Sequence, residues 1–281
     1  MPKIVKQTSH KVVKTGSVWD RIVPASEQLE TGHRVLVYGP SGTGKTTFAC
    51  SFPKPLLMVR PERAEDGTRS VRTVKGVEVT PYLTSPNQLD EIVEAQQESK
   101  RYKTIVLDGI TKFQDLVLKK ILDLSAVPEQ LSWGVATQQT WSIVSNELKS
   151  HLRKFLQLTE DGVHVVIVGG ERSLNTGDEN PSILLAPTIM VALTPSSMGW
   201  LHEVMDYNVN TFIRRKTEHR SIKIGGKEVK KEVLTNDCEF CLRTAPDPLF
   251  QIKWGAGRDH PAPGIMTDPT FEKLDKAIRG S

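Results

Sequence analysis

Lys45, Thr46 and Asp108 are the residues with the clearest chemistry in this chain. Gly39-Pro40-Ser41-Gly42-Thr43-Gly44-Lys45-Thr46 fits the spacing G-x-x-x-x-G-K-[ST]. Each position has a physical task. Gly39 and Gly44 let the backbone curl where a Cβ would clash. Curled N–H groups at the start of a helix make an anion nest. Lys45 adds a cation that reaches β- and γ-phosphates, and the Thr46 hydroxyl is a hard oxygen ligand suited to Mg²⁺. The phosphate-binding candidates are therefore Gly39, Pro40, Ser41, Gly42, Thr43, Gly44, Lys45, Thr46 and Thr47.

Hydrolysis of a phosphoanhydride also needs a metal partner and a group that orients water. The run "TIVLDG" brings β-favouring residues up to Asp108, at the carboxyl end of a strand. Open α/β sheets bind ligands there. Asp108 is thus expected to hold Mg²⁺ through its water shell, together with Thr46. For the water-orienting acid, "MVRPERAEDG" offers Glu62, Glu65 and Asp66. Glu62 sits nearest the strand end and is preferred, with Glu65 as the alternate. Glu171 and Arg172, in "GGERS", are candidates to sense a γ-phosphate.

These residues need a frame. "RVLVY" reads as the first strand, residues 44–52 as the phosphate-loop helix and "PLLMV" as a second strand. Helical periodicity follows in "SPNQLDEIVEAQQESK", in "ITKFQDLVLKKILDLS" and in the longer "ATQQTWSIVSNELKSHLRKFLQLTE". "KTIVLDG" and "VHVVIVGG" are buried strands. Strands that are apolar on both faces and alternate with helices predict a mainly parallel sheet with helices on both sides. From about residue 206 the pattern turns to β. "YNVNTFIRRK", "HRSIKIGG", "KEVKKEVLT", "FCLRT" and "LFQIKWG" read as strands, with a hairpin at Gly225-Gly226. A short helix over 269–279 closes the chain. Residues 1–28 read as an N-terminal arm, and 29–281 as one domain with an antiparallel C-terminal extension.

Composition sets outer bounds. The chain has 281 residues, 38% hydrophobic and 25% charged, with a net charge of +4. That is ordinary for a globular protein and permits a polyanionic partner without requiring one. No apolar run reaches the length of a membrane span, and the first residues lack the apolar block of a signal peptide. A cytoplasmic location and no membrane partner are expected. Three cysteines make no disulfide framework. Cys238 and Cys241 form a lone CxxC without the second pair that a zinc site wants.

The strings "VYGPSGTGKTTFACSFPKPLLMV" and "TIVLDGI" resemble phage-encoded RecA-like P-loop ATPases of the single-strand annealing and recombination group. The likeness spans residues 31–260 and is most specific in the first 110. It implies an α/β RecA-like fold, ATP and Mg²⁺ as cofactors, and a homo-oligomeric ring or filament acting on single-stranded DNA in the host cytoplasm. A single-strand-binding protein is a further implied partner. The family often reads "DTEGG" after its second strand, where this chain has "VRPERAEDGT", so Glu62 and Glu65 both stand. Its tail often donates a basic side chain across a subunit interface. In "GAGRDH" that residue is Arg258.

A DNA track is sought in "KSHLRKF" (Lys149, His151, Arg153, Lys154), in Arg214, Arg215 and Lys216, and in the hairpin lysines Lys223, Lys227, Lys230 and Lys231. Phe212 and Trp254 are candidate stacking platforms, with burial as the competing reading. The segment 172–200 is mixed and loop-rich. The readings carried forward are an ATPase promoting annealing or strand exchange, a nucleotide-dependent switch or loader acting on a replication protein, and a small-molecule P-loop kinase.

Overall fold

The structure, a computed structural model, describes residues 32–62, 67–123, 137–174, 188–224 and 227–280, with backbone alone at 67–68, 219–224 and 227–232. The predicted arm over 1–28, the alternate acid Glu65 and the Gly225-Gly226 turn lie outside the described residues.

The strands are β1 (Arg34–Tyr38), β2 (Leu56–Arg60), β3 (Val77–Tyr82), β4 (Thr104–Asp108), β5 (His164–Gly169), β6 (Glu171–Leu174), β7 (Thr188–Val191), β8 (Tyr207–Ile224), β9 (Lys227–Arg243), β10 (Lys253–Trp254) and β11 (Ile265–Thr267). The helices are α1 (Lys45–Ala49), α2 (Asn87–Ser99), α3 (Ile110–Ile121), α4 (Gln138–Gln157), α5 (Pro195–Val204) and α6 (Phe271–Arg279). One large sheet runs β11-β9-β8-β1-β5-β4-β2-β3, with β10 also paired to β8. From β3 through β8 every neighbouring pair is parallel. β9, β10 and β11 join antiparallel. This is the predicted α/β architecture with its antiparallel extension.

The central strands alternate between two cores. Leu36, Leu57, Ile105, Leu107, Val165 and Ile167 face a core shared with α2, α3, α4 and α5. Val35, Val37, Met58, Val106 and Val166 face the other, closed by Phe48 of α1 and Leu274 of α6. Burial on both faces explains why these strands read as continuous apolar runs. Thr137 caps α4 by accepting a bond from Thr140 N at 3.2 Å, and Thr270 caps α6 from Lys273 N at 3.3 Å.

Several boundaries differ from the sequence reading. The phosphate-loop helix ends at Ala49, earlier than the expected residue 52, and the last helix starts at Phe271 rather than 269. The strand β3 carries no clear strand signal in the sequence, because it is an edge strand with Glu78 and Pro81. Four of the expected C-terminal strands are two long ones. The interruption between "YNVNTFIRRK" and "HRSIKIGG" is a register shift between Arg215 and Thr217 inside β8, not a loop. The segment 172–200, expected to be loop-rich, holds most of the β6–β7 ribbon and the start of α5 among its described residues.

Candidate nucleotide site

β1 delivers the chain to the loop at the carboxyl edge of the sheet. Gly39 needs its missing side chain: a Cβ there would stand 2.4 Å from Thr211 O and 2.5 Å from Thr211 Oγ1 on β8. Gly42 and Gly44 take φ of +79° and +84°, in the left-handed region. The loop is tied from inside. Thr43 Oγ1 donates to Pro40 O at 2.8 Å and lies 2.6 Å from Thr211 Oγ1. Lys45, the first residue of α1, folds its Nζ back to within 2.9 Å of Gly39 O and 2.6 Å of Pro40 O. The ammonium thus lies over the loop.

One turn of α1 also presents Thr46, whose Oγ1 donates to Asp108 Oδ2 at 2.9 Å. β5 lies between β1 and β4, and Asp108 stands level with Val168 of β5. The acid therefore reaches back across one strand to meet the loop. Two hard oxygens at this separation suit a small divalent cation held by the hydroxyl and, through water, by the carboxylate. The residues fit Mg²⁺.

All nine candidates from Gly39 to Thr47, with Asp108, line one cavity of about 990 Å³. Glu171 lines it as well, its Oε2 accepting from Asn210 Nδ2 at 3.2 Å. Arg172 instead turns its Nη1 to Leu193 O at 3.2 Å. Gly169, before them, is fixed by packing, since a Cβ would meet Val191 Cγ2 at 2.5 Å.

Glu62 follows β2 at the same edge of the sheet as Asp108 but lines a smaller adjoining cavity with Pro61, Tyr82 and Lys112. Its Oε2 is 3.5 Å from Lys112 Nζ, which is equally close to Asp115 Oδ2. Burial raises the pKa of Asp115, with Lys112 opposing the rise. Arg258 sits far from this edge. β10 runs antiparallel to β8, with Trp254 opposite Tyr207, so the chain beyond it continues toward the amino ends of the parallel strands. Arg258 is exposed in the turn there.

The sought DNA segments differ in what they leave exposed. In "KSHLRKF", His151 is buried against Asp90 at 2.8 Å, and Lys154 bonds the other Asp90 oxygen at 2.5 Å. Burial pushes the Asp90 carboxyl up, but those bonds outweigh it and hold its pKa low. Lys149 donates to Ser196 Oγ at 2.8 Å, and Arg153 lies over Trp200. Phe212 lies under the Arg243 guanidinium, and Trp254 packs on Tyr207 with its Nε1 donating to His260 O. Arg215 and Lys216 are exposed on β8, whereas Arg214 is paired with Glu239. Side chains of the hairpin lysines lie outside the described residues. Cys238 is exposed and Cys241 buried on β9, three positions apart and so on opposite faces of the strand. They do not converge on one metal.

Phe240 and Asp268, which line the cavity, and Asn210, which holds the lining Glu171, were not among the sequence candidates. Phe240 looks like core in a β pattern. Two asparagines in "YNVNT", on a strand beside β1, are the one signal that existed: buried amides need partners.

No curated protein matches the chain. Among solved structures, the KaiC-like protein PH0186 from the hyperthermophilic archaeon Pyrococcus horikoshii OT3 is similar at 15% identity and a TM-score of 0.35, over 85% of this chain and 90% of that one. No helix among the described residues is long and apolar enough to cross a membrane. A family described as an AAA domain matches residues 31–233. With that match enclosing the phosphate loop, the Thr46–Asp108 pair and most of the sheet, the chain belongs to the AAA domain family of P-loop NTPases.

Proposed function

We propose that this protein is an oligomeric, Mg-ATP-dependent RecA-like ATPase that binds single-stranded DNA and promotes annealing or strand exchange in phage recombination. The bond between Thr46 Oγ1 and Asp108 Oδ2 carries the ATPase reading, because it joins the phosphate loop to an acid on a separate strand in one cavity. In this reading Lys45 binds the β- and γ-phosphates, while Thr46 and Asp108 hold Mg²⁺, which supplies charge neutralisation at the transferring group. Glu62, or Glu65, orients the attacking water. Arg258 acts on a neighbouring subunit's nucleotide, a role compatible with its place at the opposite edge of the sheet.

The DNA role draws on the sequence resemblance and on the exposed cations Arg215 and Lys216, which would follow a phosphate backbone without reading bases. ATP turnover by the full chain, with and without single-stranded DNA and alongside sizing of the complex, tests both parts. We expect turnover to rise on adding DNA and to vanish in Lys45→Ala. Turnover indifferent to DNA would favour a switch or loader acting on a replication protein, and normal turnover in Lys45→Ala would remove the site.

A further inference from the structure

A phosphate nest reads charge, not the group attached to the phosphates. The same cavity continues past the loop to a wall of different chemistry: Phe240 of β9, with Asp268 and Pro269 beside it. Along the sheet, β4 and β9 lie on opposite sides of β1. Asp108 therefore fixes the metal end of the cavity, and Phe240 stands at the other end.

The environment of Phe240 is unusual for a large aromatic. Leu242, two residues on and on the same strand face, is fully buried, yet Phe240 is 44% exposed. Its cross-strand partner Ile213 is 42% exposed. The β8–β9 ribbon passes from core to open surface at this point. The ring rests against the phosphate loop: a Cβ added to Gly44 would lie 3.3 Å from Phe240 Cδ1. The neighbouring turn is locked to the same residue, because Asp268 N donates to Phe240 O at 2.8 Å. Asp268 holds φ at +44°, in the left-handed region that Asp tolerates better than most side chains.

Resting on the nucleotide reading above, we propose that Phe240 is the platform on which the base of the bound nucleotide stacks. A ring touching the loop that binds the phosphates is within reach of a base joined to them through a ribose. Stacking uses the π-face that every base has. The pairing makes the nucleotide a bridge between α1 and the β8–β9 ribbon, the element that carries Arg215 and Lys216.

The test compares the full chain with Phe240→Ala and Phe240→Trp, titrating each with Mg-ATP and with Mg-tripolyphosphate, which lacks both base and ribose. We expect Phe240→Ala to weaken ATP about tenfold while tripolyphosphate shifts by less than about twofold, and Phe240→Trp to restore ATP binding. Equal weakening of the two ligands, or none, would overturn the platform while leaving the phosphate site standing. A change in oligomeric state with unchanged ATP affinity would overturn it also, by making Phe240 a subunit contact. Failure of the unaltered chain to bind either ligand would bring down the nucleotide reading itself.

Discussion

Thr46 Oγ1 and Asp108 Oδ2 meet at 2.9 Å although 62 positions separate them in sequence. Neither residue alone defines a hydrolytic site, since a loop threonine and a strand-end acid are each common. Their contact joins them. Asp108→Asn keeps the shape but removes the negative charge that favours a divalent cation. We expect ATP binding to fall less than about tenfold and turnover by about a hundredfold or more, measured by phosphate release. Full turnover in that variant would take Asp108 out of the reaction.

Gly39→Ala tests the seat of the loop against β8. The added methyl would meet backbone as well as a hydroxyl of Thr211, and a backbone carbonyl cannot swing away as a long side chain can. The expected cost is about 1–3 kcal/mol of stability, with weaker nucleotide binding. Thermal unfolding with and without ATP separates the two effects. A wild-type unfolding temperature would show that the loop has another way to sit.

Glu62 and Glu171 present two carboxylates at one edge of the sheet, in adjoining cavities. If Glu62 orients water, Glu62→Gln lowers turnover by about a hundredfold or more with little change in ATP affinity. Glu171→Gln retains an oxygen acceptor toward Asn210 and should act more mildly, within about tenfold. The reverse ranking in single-turnover assays would move the catalytic role to Glu171.

Arg258 is best tested by mixing subunits. Arg258→Ala should lower turnover by about 10³-fold or more if it completes a neighbour's site. Mixing it with inactive Lys45→Ala should restore part of the activity, because a Lys45→Ala subunit still carries Arg258. Failure of the mixture to recover, with assembly intact, would assign Arg258 a different role.

His164 links stability to pH. Burial, with nearby His33 adding to it, lowers the ring's pKa from 6.5 to about 4. Its Nδ1 accepts from His33 N at 3.1 Å, a bond that the charged ring cannot make. Between these pKa values the unfolded chain binds the proton and the folded chain does not. Stability is therefore whole above about pH 6.5 and declines as pH falls toward 4. With allowance for partial exposure the loss is on the order of 2 kcal/mol. His164→Asn keeps an acceptor and cannot titrate, so its denaturation midpoint should change less across that window. An unaltered slope would place the pH dependence elsewhere.

The sequence carried the central strands clearly, because burial on both faces makes "RVLVY", "TIVLDG" and "VHVVIVGG" apolar throughout. It carried the phosphate loop for a related reason: a backbone wrapped around an anion demands glycine at fixed spacing. The edge strand β3 was hidden because half of its side chains face water. The continuity of β8 was hidden because its bulge at Arg215–Thr217 resembles a break. Glu62 illustrates a different limit. Its position after β2 was readable, but its pairing with Lys112 depends on α3 packing beside that strand end. Phe240 had no distinguishing mark, since only the fold sets it against Gly44.

The two margins of the large sheet bear on how copies of this chain could meet. At one margin β3 carries Pro81, which has no N–H to offer, and the charged Glu78. At the other, β11 is just three residues long. Pro81 and Glu78 discourage a further strand from zipping on at β3, whereas β11 covers only Cys241–Arg243 and leaves the rest of β9 as an open edge among the described residues. Backbone-to-backbone joining of two copies is thus closed at the β3 side, where only side chains could meet, and left to the long outer strand at the other.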